Sequence, residues 1–425
     1  MSSFLPPPQS PRPVDPSLDE DAGPSTRAVH AGVRRPDVHH ALPTPIVATA
    51  TYSFASSAEV AAHMTGEHAG PAREEYGRYG NPTVRALEER LAALELPAGG
   101  ADCAAFGSGM SAMSTTLLAL VKQGSHVILF RDGYRRTRQL VATTLAAFGV
   151  EHTVVEPGDL AAVAAAIRPT TRVIVGESPT NPYLHVTDLR ALAAVAKRAG
   201  RVKTLVDATF ATPVLCRPLE LGIDLVVHSA TKYLAGHHDV LAGAVVGAPP
   251  LVGLVRDLRG VLGGILDPHS AFLVARGLKT LALRVERSSA TALAVARMLA
   301  EHPRVAQVFY PGIAAHPTHA VAAAQMSGFG GVVSFRVRTD PAGEGERAPL
   351  ATTARVVDRF RLARIAPSLG GVDTLVEQPA IMSYYELSPQ DRRAAGIEDD
   401  LIRLAVGVED ERDVLRDVRR ALEGD

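Results

Sequence analysis

The segment His228-Ser229-Ala230-Thr231-Lys232-Tyr233 places two hydroxyls and a lysine directly after the apolar run Leu225–Val227. Ligands of open α/β folds bind beyond the C-terminal ends of the strands. Hydroxyls there can hold an anion, and a partly desolvated lysine can form a Schiff base with an aldehyde. The chain has only five lysines (Lys122, Lys197, Lys203, Lys232 and Lys279) among 44 basic residues, so a lysine in this setting is not routine surface decoration. Taken alone, the segment reads equally well as a polar loop with one exposed lysine.

Three other segments offer complementary chemistry. Asp207 closes the strand-like run Thr204–Val206, where a carboxylate can face a cofactor's ring nitrogen and keep it protonated; an Asp in a turn or helix cap is the commoner role. Gly107-Ser108-Gly109-Met110 lies between an apolar run and a helical stretch. Small residues there let backbone N–H groups approach a phosphate at a helix N-terminus, although a tight turn explains Gly-x-Gly as well. Tyr134 sits in Asp132-Gly133-Tyr134-Arg135-Arg136-Thr137, beyond the run His126–Phe130. Its ring can stack on a planar cofactor or be a half-buried surface group. In chain order these are a phosphate cradle, a stacking ring, a carboxylate and a lysine, the set that one pyridoxal phosphate (PLP) site requires. Their joint occurrence carries the reading, since no single match does.

The elements that must hold these residues alternate along the chain. A helix is predicted after Asn81-Pro82-Thr83, with Leu87, Leu91 and Leu94 on one face. Strand-like runs follow at Cys103–Phe106, His126–Phe130, Val173–Gly176, Thr204–Val206, Leu225–Val227 and Ala242–Val246, with helical stretches at Met110–Val121 and Ala191–Ala199. This alternation argues for an α/β fold, a mostly parallel sheet with helices on both faces. After Gly263-Gly264 the pattern changes. One long helical region runs from about His269 to His302, then come a strand at Val332–Val337, a loop at Asp340–Pro349, two more strands and a closing helix at Glu409–Leu422. The expected organisation is a disordered Pro-rich tail (1–24), an extended arm for oligomer contacts (25–75), a large cofactor-binding domain (76–262) and a smaller C-terminal α+β domain (263–425).

Composition narrows the function class. Of 425 residues, 46% are hydrophobic and 21% charged, and Lys+Arg 44 against Asp+Glu 45 leaves a net charge of −1. A buried core is easily supported, and the basic excess of a dedicated nucleic-acid binder is missing. The apolar, uncharged stretch Val240–Val255 is interrupted by Pro249-Pro250 and falls short of the roughly 20 apolar residues of a spanning helix. The opening residues, with Pro6-Pro7-Pro8, Pro11, Pro13 and Pro16 followed by Asp19-Glu20-Asp21, fit neither a secretory signal nor a basic transit peptide. Two cysteines, Cys103 and Cys216, cannot build a disulfide framework and suit a reducing, cytoplasmic compartment.

The chain resembles the Cys/Met-metabolism family of PLP enzymes, in the fold-type I class, from about Thr26 to the C-terminus. The likeness rests on Val29-His30-Ala31-Gly32, Tyr76-Gly77-Arg78-Tyr79-Gly80-Asn81-Pro82-Thr83, Glu177-Ser178-Pro179-Thr180-Asn181-Pro182, the lysine segment through Gly236-His237-His238-Asp239, Arg276-Gly277-Leu278-Lys279-Thr280, Ser368-Leu369-Gly370-Gly371 and Leu401-Ile402-Arg403-Leu404. The resemblance implies a seven-stranded-type sheet and a homotetramer built as a dimer of dimers. It also implies roles for single residues. Lys232 would hold PLP and then shuttle protons, with Tyr134 stacking on the ring and acting as a second acid/base. Asp207 would meet the ring nitrogen and Asn181 the phenolic oxygen. Ser108, Gly109, Met110, Thr209, Ser229 and Thr231 would line the cofactor site. Tyr76 and Arg78 would reach a neighbouring subunit's phosphate. Arg403, beside Ser368, would clamp the substrate's α-carboxylate.

Within the family, Tyr134-Arg135-Arg136-Thr137, Asp207-Ala208-Thr209-Phe210-Ala211-Thr212-Pro213 and Glu377-Gln378-Pro379-Ala380-Ile381-Met382-Ser383-Tyr384-Tyr385 are similar to the plant-type cystathionine γ-synthase branch. Arg135 and Arg136 can supply positive charge for an anionic substituent on homoserine, although at least one of them is expected to face solvent. The implied reaction is γ-replacement on an activated homoserine by cysteine. γ-Elimination, as in cystathionine or methionine γ-lyases, and sulfhydrylation of a homoserine ester are the alternatives. Two readings of another class are a non-catalytic binding protein on this fold and a zinc protein using His228, His237 and His238, for which the spacing gives no support.

Overall fold

The computed structural model describes residues 22–32, 41–67, 73–338 and 348–424. The Pro-rich segment before residue 22 and most of the loop at 340–349 lie outside them. Seven strands form the first sheet: β1 (Asp102–Phe106), β2 (His126–Phe130), β3 (Glu151–Val155), β4 (Thr171–Glu177), β5 (Lys203–Asp207), β6 (Leu225–His228) and β7 (Gly243–Gly247), in the order β1-β7-β6-β5-β4-β2-β3. The five strands from β3 to β6 run parallel, and β7 is antiparallel to both its neighbours.

Both faces of this sheet are buried, which is why its central strands read as continuous apolar runs. Val127, Leu129, Val173, Val175, Leu205 and Val227 pack in one hydrophobic cluster. Their chain neighbours Ile128, Phe130, Ile174, Val206 and Val226 pack in another, on the opposite face, as the two-residue period of a strand requires. The parallel strands all end on one edge, so Asp207 (the last residue of β5), Glu177 (the last of β4) and the lysine segment after β6 converge there.

A second sheet has five strands: β8 (Val305–Phe309), β9 (Val332–Val337), β10 (Arg364–Ile365), β11 (Leu375–Glu377) and β12 (Leu401–Ala405), in the order β10-β11-β12-β9-β8. The largest hydrophobic cluster joins this sheet to the helices Pro82–Glu95 and Leu281–Glu301 and to Tyr233 and Leu234 of the lysine segment. A continuous core thus ties the second sheet to the edge of the first.

Three expectations need correction. The arm read as extended contains two helices, Pro24–His30 and Ser57–Thr65; the second is capped by the Ser56 side chain, which accepts from the Glu59 N–H. The single long helix at about 269–302 is two helices, Pro268–Leu278 and Leu281–Glu301. The break is held by Arg284, whose Nη2 donates to the Gly277 carbonyl at 2.8 Å and whose Nη1 donates to the Tyr233 carbonyl at 2.7 Å. The guanidinium therefore caps a helix end and fixes the backbone next to Lys232 at once. The β3 strand was not anticipated, because most of its residues are partly or fully exposed and lack an apolar run.

Candidate active site

Lys232 lies in the turn after β6, anchored by its own N–H to the Ser229 carbonyl (3.0 Å) and by its carbonyl to the Gly236 N–H (2.8 Å). Its Nζ donates to Ser368 Oγ at 2.8 Å. Burial, followed by the nearby Arg403 cation, lowers the amine's pKa to about 8. A group so placed is neutral, and nucleophilic, over a wider pH range than a surface lysine.

Ser368 is brought to this lysine by the turn between β10 and β11. The turn packs against the lysine segment: a Cβ on Gly370 (φ +76°) would lie 2.6 Å from the Tyr233 backbone nitrogen. Ser368 itself has φ +91°, a conformation costly for a residue with a side chain and found where surrounding structure enforces it. Its carbonyl accepts from Arg403 Nη2 at 2.8 Å, so one strained residue touches both Lys232 and Arg403.

Arg403 is buried in the middle of β12. Its Nη1 donates to Asn181 Oδ1 (3.0 Å) and pairs with Glu377 Oε1 (3.0 Å), while Nε has no hydrogen-bond partner among the described residues. Glu377 and Arg403 are register partners of β11 and β12. Burial raises the Glu377 pKa, against the pull of Arg403 and Lys232. Glu377 carries no functional signal of its own in the sequence; its tie to Arg403 arises from strand pairing, which leaves no local signal.

On the other side of Lys232, Asp207 Oδ1 accepts both the Thr209 N–H (2.9 Å) and the Thr209 hydroxyl (2.5 Å). No hydrogen bond of the described residues reaches its Oδ2. Burial raises the Asp207 pKa, opposed by Thr209, His228 and Lys232. The Thr209 hydroxyl also accepts the Ser229 N–H at 2.8 Å, joining the carboxylate to the lysine segment.

The segment Gly107–Met110, expected to cradle a phosphate, runs into the start of the helix Gly109–Leu120, with Ser108 as its cap: Ser108 Oγ accepts from the Ser111 N–H at 3.0 Å. Gly109 lies against Ser229, where an added Cβ would stand 2.9 Å from Ser229 Cα. Met110 follows in the first turn. Helix N–H groups and the Ser229 hydroxyl are thus brought together. Thr231 is turned to a structural task, its hydroxyl donating to the Ala242 carbonyl (3.1 Å) and accepting the Ala242 N–H (2.9 Å).

Tyr134 is 45% exposed and precedes the short helix Arg135–Gln139; its N–H donates to Glu177 Oε2 at 2.7 Å. Of the two arginines singled out, Arg135 donates to Glu386 Oε2 (2.6 Å) and lies 5.7 Å from the centre of the Tyr384 ring. Arg136 is not gathered with it: it donates to Gln139 at the exposed surface (2.7 Å). The second arginine at Tyr384 is Arg138, whose Nη2 donates to the tyrosine hydroxyl at 3.3 Å. The helical period brings residues 135 and 138 to one side and turns 136 away.

Tyr76 and Arg78 make their contacts elsewhere. Arg78 Nη1 donates to the Gly260 carbonyl at 2.5 Å, and its guanidinium lies over the Tyr76 and Tyr79 rings at 5.4 and 4.8 Å. Tyr76 is 41% exposed. The three histidines considered for zinc do not converge. His228 is bound to Glu95 (2.5 Å), His237 to the Ala235 carbonyl (2.7 Å), and His238 lies against Gly371. Among the described residues no helix is long and apolar enough to cross a membrane.

A family model for Cys/Met metabolism PLP-dependent enzymes matches residues 25–423. The chain belongs to this family. It is 44% identical over 399 residues to cystathionine gamma-synthase 1, chloroplastic, of Nicotiana tabacum, covering 93% of this chain and 71% of that protein. It is 41% identical to L-methionine gamma-lyase of Pseudomonas putida, covering 94% and 96%. Among solved structures, metB from Corynebacterium glutamicum superposes with a TM-score of 0.85 at 38% identity, covering 95% of this chain and 99% of that one. The family is PLP-dependent and comprises γ-synthases and γ-lyases, so the chain is a PLP enzyme, and the non-catalytic reading is set aside.

Proposed function

We propose that the protein catalyses γ-replacement: an activated homoserine and cysteine give cystathionine and the acid of the leaving group. When bound, PLP supplies an electron sink that allows C–H bonds on the substrate's amino-bearing carbon and on the carbon next to it to break. Asp207 Oδ2 would meet the ring nitrogen, the Asn181 amide the phenolic oxygen, and the Tyr134 ring a face of the cofactor. The start of the helix at Gly109, with Met110 and the Ser229 hydroxyl, would hold the phosphate. Thr209 acts through Asp207 and Ser229.

The observation that carries this reading is the placement of Lys232 close enough to both Asp207 and Arg403 for each to act on its amine, which is lowered to about 8. Arg403 holds the substrate's α-carboxylate and so presents the α-carbon to Lys232. The neutral amine takes the α-proton and returns one later in the cycle. Tyr134 serves as a second acid/base. Loss of a β-proton then lets the γ-substituent leave with its bonding electrons, and the cysteine thiol gives up its proton as its sulfur forms the new bond to the γ-carbon. Arg135, with Arg138 beside it at Tyr384, provides positive charge for an anionic leaving group such as phosphate or succinate. In this reading Tyr76 and Arg78 complete the neighbour's phosphate site within a homotetramer.

A second reading is γ-elimination, releasing a keto acid and ammonia; the 41% identity to L-methionine gamma-lyase favours it. Offering O-phospho-, O-succinyl- and O-acetylhomoserine with and without cysteine separates the two. Cystathionine outpacing keto acid supports replacement, and the reverse supports elimination.

A further inference from the structure

Glu177 is a buried carboxylate that the scheme above leaves without a task. It closes β4 at the level where Asp207 closes β5, and the two are Cα partners in parallel register. Side chains of paired residues project to the same face of a sheet, so two acids stand side by side at the strand ends. Their surroundings differ. Asp207 receives two donors from Thr209. Glu177 receives the Tyr134 N–H on Oε2 at 2.7 Å, while its Oε1 is buried with no hydrogen-bond partner among the described residues. Burial, followed by the neighbouring Asp207, pushes the Glu177 carboxyl well above the usual carboxylate range, as expected when like charges share a dry site.

Tyr134 is otherwise lightly held. It has no side-chain capping bond at the helical segment that starts at Arg135 and continues through Leu145, and among the described residues the bond to Glu177 is the one that ties its own backbone to the sheet. The preceding residue, Gly133 (φ +144°), lets the loop pass close over this carboxylate: a Cβ there would lie 3.3 Å from Glu177 Oε2. Glu177 also opens the segment that carries Asn181.

We propose that Glu177 is a positioning residue: through one backbone hydrogen bond it holds the Tyr134 ring at the level of Asp207, so that two adjacent strand ends set the stacking ring and the ring-nitrogen carboxylate together. The inference rests on the PLP reading of the site. It requires an acceptor at Oε2 and does not require a negative charge.

The test uses the full-length protein as E177Q, E177D, E177A, Y134A and the double variant E177A/Y134A. The readouts are the PLP dissociation constant of each apoenzyme and the visible circular dichroism of the bound cofactor. Loss of a buried hydrogen bond predicts a Kd weakened about tenfold in E177A, with reduced visible dichroism. E177D, one methylene short, behaves alike and carries the comparison if E177A does not fold. E177Q retains most of the affinity, because its amide oxygen can accept the same N–H. In the Y134A background, E177A adds nothing. Effects of E177A that add fully to those of Y134A, or an E177Q as impaired as E177A, overturn the proposal. Failure of the underlying site reading shows differently, as a Y134A protein whose Kd and dichroism are unchanged.

Discussion

Lys232 and Arg403 each carry a consequence that follows from their surroundings. The Lys232 amine has a pKa near about 8, below the roughly 10.4 of a free lysine. Capture of PLP by the cofactor-free protein needs the neutral amine. Its rate should therefore rise with pH through the neutral range and level off above about 8, where the amine is already deprotonated; stopped-flow absorbance measures it. A rate still climbing at pH 10 would show an ordinary, solvated lysine. Arg403 is oriented by Glu377, Asn181 and the Ser368 carbonyl. Arg403→Lys keeps the charge and loses the fork, so kcat/KM should fall by roughly ten- to hundredfold, mostly through KM. Lys232 and Asp207 were legible in the sequence because residue type and position after an apolar run coincide. Glu377 and Glu177 were not, since each acts on a partner brought in by strand pairing or by a loop many residues away.

The phosphate cradle and the Ser368 turn belong to the scale of elements, where close approach of backbones decides. At Gly109 an added Cβ would meet Ser229 Cα at 2.9 Å and Cβ at 2.8 Å. Gly109→Ala must push the helix start away from the lysine segment. It should weaken PLP binding about tenfold or more while far-UV dichroism stays near wild type; unchanged binding would place the phosphate elsewhere. Most of the first sheet was legible because strands buried on both faces leave uninterrupted apolar runs, as His126–Phe130 does. The exposed edge strand β3 leaves none. The helix break at Lys279-Thr280 was hidden because no proline marks it; it is held by Arg284, in the first turn of the next helix, taking the Gly277 carbonyl. The arginine cluster was half legible: Arg135 was identified, but its companion is fixed by helical phase and is Arg138, not Arg136.

At the scale of the whole molecule, the contacts of Tyr76 and Arg78 with Gly260 and Tyr79 leave the Lys232 site of the same chain without them. If one copy completes its neighbour's site, two inactive variants can rescue each other. Lys232→Ala and Arg78→Ala proteins, unfolded and refolded together in equal amounts, should regain about a quarter of wild-type activity, since half the random dimers carry one intact site out of two. No recovery would mean that each chain uses its own arm. The central claim is the reaction itself, and the product assay tests it most directly. Purified enzyme with a homoserine ester and cysteine should form cystathionine faster than keto acid, with the phosphate or succinate ester preferred for its negative charge. Keto acid and ammonia as the main products, with cysteine present and little cystathionine made, would contradict the account and identify a γ-lyase.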